Sequence, residues 1–143
     1  MFELHPNLAA DTIPITELPL CRAVLMNDSR FPWIILVPRI VGLREMHLLA
    51  PSEIKTLTTE ITTVSRLLEA TTGAHKMNVA ALGNHVPQLH IHVIARFEED
   101  AAWPAPVWGN GEAIMYEDEA VQDFIDRLKP DRDAAFPEAN RTA

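Results

Sequence analysis

Residues 87–97, PQLHIHVIARF, constrain the fold more tightly than any other stretch of the chain. The run is apolar almost throughout, yet Gln88, His90 and His92 recur at every second position. In an extended strand alternate side chains share a face, so these three stand together while Leu89, Ile91 and Val93 share the opposite, core-directed face. Four readings fit the polar face: imidazoles turned to water on a half-exposed strand, a metal site built on His-x-His, general acid-base work by a group titrating near neutrality, and nucleophilic attack by a neutral imidazole on phosphorus. Spacing alone does not separate the last two.

The rest of the chain limits what such a strand can serve. At 143 residues with 48% apolar content it is long enough for one domain with one core. A formal net charge of −8 with a pI near 5.1 argues against general nucleic-acid binding, but leaves small phosphorylated ligands, which need only a few local donors. Cys21 is the only cysteine, so an intramolecular disulfide and the paired-cysteine zinc motifs are excluded. No apolar run approaches the roughly 20 residues of a membrane helix, and the opening MFELHPNLAADT has acids where a signal peptide has basic residues. The expectation is a soluble cytoplasmic protein with no membrane partner.

Along the chain, the proline-rich start reads as an extended arm with turns. CRAVLMN, the turn formers NDSRFP, and WIILVP follow as strand, turn and strand, with residues 33–37 apolar enough to be covered on both faces. Residues 48–73 give the one long helix, capped by Ser52, ended by Gly73, and striped by Ile54, Leu57, Ile61, Val64 and Leu68. KMNVAAL and residues 87–97 form two adjacent antiparallel strands across the turn GNHVP. AAWPAPVWGNGEA reads as an aromatic loop lying over something, and EDEAVQDFIDRLKP as a short amphipathic helix closed by Pro130, ahead of a polar tail.

QLHIHVI resembles the signature of the histidine triad (HIT) superfamily, with glutamine where the first histidine is usual. The context matches too: a strand ending in proline (WIILVP), a long helix, then a strand starting near an asparagine (KMNVAAL). The resemblance covers roughly residues 20–97, and the whole chain is similar to a bacterial branch labelled diadenosine tetraphosphate hydrolase-like. It implies an α+β HIT-like fold, an antiparallel sheet of about five strands with one long and one short helix per subunit. On this footing residues 1–130 form a single domain and 131–143 a polar tail.

The resemblance further implies a homodimer that hydrolyses or transfers nucleotidyl groups on a nucleoside phosphate or dinucleoside polyphosphate, cleaving phosphoric anhydrides or phosphoramidates. His90 takes the place of the nucleophile that forms a covalent nucleotidyl-imidazole, and His92 that of the donor to the scissile phosphate. Gln88 stands at the first position, where an amide can donate and accept but cannot carry a proton charge at neutral pH. No cofactor and no metal are implied. Gln88 at the first position and Trp33, where several branches have a further histidine, keep open a second class of function, a non-catalytic nucleotide-binding or sensing module.

Supporting positions carry paired readings. Asn27 and Asp28 hold ribose hydroxyls or simply make their turn; Asn78 and Asn84 supply phosphate-binding groups or turn geometry; Trp33, standing where several branches have a further histidine, stacks on a base or fills the core. Arg39 and Arg96 add positive charge to a phosphate pocket or are plain surface residues. Trp103 and Trp108 form a lid or pack the tail against the body. His5, His47, His75 and His85 read as structural or surface residues.

Overall fold

The computed structural model describes residues 1–135. The chain opens differently from the extended arm expected of it. Pro6 begins a short helix α1, Pro6–Asp11, where its fixed φ is already helical, and the His5 ring accepts from Asn7 N at 3.2 Å. The next residues form strand β1, Thr12–Glu17, despite Pro14. β1 lies at the sheet edge and its register shifts between Pro14 and Thr16, the two circumstances in which a strand tolerates proline.

Strands β2, Cys21–Met26, and β3, Trp33–Pro38, follow as antiparallel neighbours. Helix α2, Pro51–Thr72, leads to β4, Lys76–Ala80, and β5, Ile91–Arg96. The five strands make one antiparallel sheet in the order β1-β2-β3-β5-β4. This is the α+β arrangement expected, with α1 added to the long and the short helix.

β3 is fully buried because both of its faces are covered. On one side Ile34 and Leu36, with Leu25, Ile91, Val93 and Ala95, pack against Leu57, Val64 and Leu68 of α2 and Phe124 and Leu128 of helix α3, Asp118–Ala135. On the other, Trp33, Ile35 and Val37 join Val24 and Ile94 beneath Leu8 of α1 and Ala102 and Val107 of the irregular loop. That loop therefore does lie over something: the second face of the sheet.

Three helix expectations are corrected. α2 begins at Pro51, with Ala50 rather than Ser52 as cap; Ala50 N donates to Glu53 Oε1 at 2.7 Å. Ile54 is 39% exposed, whereas Glu60 is turned inward at 2%, where its carboxylate accepts from Leu20 N and Cys21 N at 3.0 and 2.9 Å. Burial raises the Glu60 pKa against the pull of those two donors and of Arg39. α3 runs through Pro130 to Ala135: the proline φ is compatible with a helix, at the cost of one backbone hydrogen bond and of crowding against the carbonyl four residues earlier. Most of the expected tail, residues 136–143, lies outside the described residues. Gly73 ends α2 as expected, at φ 69°.

Candidate active site

β5 delivers its polar face to the second side of the sheet. His92 is opposite Ile35 in the β3–β5 register, and His90 immediately precedes the strand. The two rings lie 4.9 Å apart at 72°, and both residues are buried, 6% and 5% exposed. The reading in which these imidazoles face water is therefore overturned: α1, the 81–86 loop and the irregular loop cover them.

Each ring has one nitrogen assigned by its partner. His90 Nδ1 lies 2.7 Å from the backbone carbonyl of Gln88, which only accepts, so Nδ1 carries the proton and Nε2 keeps its lone pair. Trp33 Nε1 is 3.0 Å from His92 Nδ1; an indole only donates, so His92 Nδ1 accepts and its proton sits on Nε2. The pair thus presents a lone-pair nitrogen on one ring and an N–H donor on the next. Burial, reinforced by His90, lowers the His92 pKa from 6.5 to about 3. Trp108 closes on the same group edge-on, 4.9 Å from the His92 ring and 5.7 Å from Trp33.

A cleft of about 420 Å³ opens beside the pair, walled by Leu8, Met26, Trp33, Ile35, Val86 and Trp108. Asp11, Asn84 and His85 also line it, and no Lys or Arg does. A smaller cleft of about 280 Å³ shares Leu82, Gly83 and His90 with it and is lined by Arg44, Glu45 and His47. An apolar, aromatic cleft ending at a lone-pair nitrogen and an N–H donor suits a flat ring system carrying an electrophilic, anionic centre.

Of the site residues read from the sequence, His90, His92, Trp33 and Asn84 meet at this cleft. Gln88 does not share it. Its amide bridges the N-terminal arm, accepting from His5 N and donating to Glu3 O, both at 2.9 Å, as a neighbouring strand would. Asn27 and Asp28 are likewise engaged elsewhere. Asn27 Oδ1 accepts from Tyr116 N at 2.9 Å, and Asp28, 2% exposed, binds Arg30 at 2.8 Å and accepts from Ile114 N at 3.3 Å. Burial pushes the Asp28 carboxyl up, but the hydrogen bonds and charge of Arg30 and the backbone donors bring it below its usual range. Asn78 accepts from Arg96 at 2.8 Å. These side chains fasten the segment before α3 and the sheet margin, because each faces an unpaired backbone group or a buried cation.

The arginines are corrected in the same way. Arg96 is 1% exposed and is held by Asp100 at 2.8 Å, Asn78 and the Ala105 carbonyl; Arg39 caps the carbonyls of Leu18 and Cys21. Neither reaches the cleft. Trp103 packs on His75 and under the Arg96 guanidinium, whereas Trp108 reaches the histidines. His85, read as structural or surface, lines the cleft, and its place in the turn just before the motif is the one signal that points there. Among the described residues no three His, Cys, Asp or Glu side chains come together as a metal-ligand set.

A family model described as the HIT domain matches residues 7–99. The chain is similar to the crystal structure of a histidine triad protein from Bradyrhizobium japonicum, at 45% identity over 91% of this chain and 97% of that one, with a TM-score of 0.89. A histidine triad protein from Marinobacter aquaeolei VT8 is 44% identical over 94% and 98% of the two chains, with a TM-score of 0.91. A hypothetical histidine triad nucleotide-binding protein from Sulfolobus tokodaii shares the fold at 13% identity over 90% and 88% of the two chains, with a TM-score of 0.66. No match was found among curated proteins.

Proposed function

The chain belongs to the HIT domain family, and from that membership we propose that it is a hydrolase or nucleotidyl transferase acting on a nucleoside phosphate or dinucleoside polyphosphate through a nucleotidyl-His90 intermediate. The observation that carries this is the His90 Nδ1 contact to the Gln88 carbonyl at 2.7 Å. It fixes the proton away from Nε2, so the lone pair is available for attack without prior deprotonation, and the same carbonyl steadies the ring as it gains charge. His92 Nε2–H offers a donor to a phosphoryl oxygen. The nucleoside lies against Trp108, Met26 and Leu8, with Asn84 at the phosphate end. Within the family the reading favours the diadenosine tetraphosphate hydrolase-like branch, with Gln88 in the first motif position, working as a cytoplasmic homodimer.

A second reading is a nucleotide-binding module without turnover, favoured by the engagement of the Gln88 amide with the N-terminal arm. One experiment addresses both. Acid-free quenching of the protein during incubation with a nucleotide labelled at its α-phosphate is expected to trap an acid-labile, base-stable adduct on His90. Binding of the nucleotide with neither adduct nor product supports the module, and an adduct on another residue removes the His90 mechanism.

A further inference from the structure

Which bonds such a site can break depends on where the leaving group finds a proton. The nucleophilic step forms a bond between His90 Nε2 and phosphorus while the bond from phosphorus to the leaving group breaks, its electron pair departing with the leaving atom. A phosphate leaving group needs no proton, since its second ionisation lies at about 6. An amine does: without a proton on its nitrogen it would have to depart as an amide anion, a far stronger base than the neutral amine, whose own conjugate acid already ionises only at about 10.

His92 is the nearest ring to His90, and its geometry withholds that proton. A protonated His92 would set its own Nδ1–H against the indole N–H of Trp33, 3.0 Å away, two donors facing each other in a buried site. The ring therefore stays neutral, and its Nε2–H serves as a hydrogen-bond donor rather than an acid. Gln88, in the first motif position, has no transferable proton and is bonded to Glu3 and His5. Asp11 and His85 are the other titratable groups lining the cleft, and Glu45 and His47, with Arg44, line the adjoining cleft that shares His90; all are exposed, and none shares a hydrogen bond with His90 or His92. Trp108, edge-on to His92, brings no ionisable group.

We infer that Trp33, by holding His92 as a fixed neutral donor, restricts the site to leaving groups that depart as stable anions, so that it cleaves P–O–P anhydrides in preference to P–N bonds. The inference rests on the nucleotidyl-transfer reading and narrows it. After the anhydride opens, water attacks phosphorus, the N–P bond breaks with its electron pair returning to Nε2, and the proton of the attacking water passes to solvent.

The test compares two substrates with a common adenosine 5′-phosphoryl group, a dinucleoside polyphosphate and adenosine 5′-phosphoramidate, on the full chain. The anhydride is expected to exceed the phosphoramidate in kcat/KM by about 10²–10⁴, the span a general acid supplies. In Trp33→Phe the indole donor is gone and Nδ1 is free to take a proton, while burial and His90 still disfavour the charged ring; the ratio should narrow at least tenfold at the acid end of the profile, through a phosphoramidate rate that rises as pH falls. Nitrogen-15 resonances of His92 in the wild type should report a neutral ring with the proton on Nε2 down to about pH 5, a readout independent of turnover and of how well the variant folds. Equal cleavage of both substrates by the wild type overturns the inference and leaves nucleotidyl transfer standing, and a His92 found protonated, or with its proton on Nδ1, at about pH 6 overturns it as well. Cleavage of neither substrate removes the nucleotidyl-transfer reading and the inference together.

Discussion

The indole N–H of Trp33, at the start of β3, donates to Nδ1 of His92 in β5, so one strand sets the tautomer of a ring carried by its neighbour. Because the contact is buried and paired with an edge-on Trp108, the protonation state of His92 is tied to the fold.

Stability should therefore depend on pH in a defined window. Above about 6.5 His92 is neutral in both folded and unfolded chains, and nothing is lost. As pH falls through that value the unfolded chain takes up a proton which the folded site, with its pKa lowered to about 3, refuses. Between pH 7 and 5 the loss is on the order of 2 kcal/mol. Urea melts at the two pH values check this, and His92→Asn should remove most of the difference. A melt whose pH dependence is unchanged in that variant assigns the effect to another group.

His90→Ala is expected to reduce turnover by several orders of magnitude while nucleotide binding stays within about tenfold, since the cleft walls remain. His92→Ala should be milder, costing about 10²–10³ in rate through loss of one donor. Steady-state kinetics with isothermal titration separates the two effects.

Gln88→Ala should detach the N-terminal arm at a cost of about 1–2 kcal/mol, the net worth of two ordinary hydrogen bonds, one partly buried and one exposed. Gln88→Glu should be worse, because a carboxylate would meet the Glu3 carbonyl where the amide now donates. Limited proteolysis before residue 8 and thermal melts read the two variants; equal stability of all three proteins would show that the arm is held by other contacts.

Asp100→Ala leaves the guanidinium of Arg96 buried without its carboxylate partner, although Asn78 and the Ala105 carbonyl remain. Removing one member of a buried pair costs about 3–5 kcal/mol. Asp100 itself is subject to burial, which raises its pKa, but the Arg96 and backbone hydrogen bonds together hold it far below the usual carboxylate range. The stability it contributes is accordingly present above about 3.9 and lost as pH falls below it. Denaturant midpoints of wild type and variant at neutral pH test the magnitude.

Much of the architecture was legible because it rests on local periodicity. The alternation in residues 88–93 gave the facing of β5, and the unbroken apolar run of β3 gave its double burial. Polar side chains were the hard part. Gln88, Asn27, Asp28 and Glu60 each answer a backbone group far away in the chain, such as His5 N for Gln88 and Cys21 N for Glu60, and no window along the sequence contains both partners. Trp33 was read as a base platform or core filler, and it donates a hydrogen bond, which only the β3–β5 register reveals. β1 escaped notice because Pro14 argues against a strand unless its edge position is known.

The clasp between Gln88 and the N-terminal arm also orders assembly in time. Leu8 and Asp11 of α1 precede every strand of the sheet in the chain, but the amide that fastens their arm lies 83 positions after His5. Loop closure of that length waits on the central strands. In refolding monitored by hydrogen exchange, protection of the His5 amide should therefore arrive after protection of β3 and α2, so that the cleft is the last part of the molecule to acquire its wall.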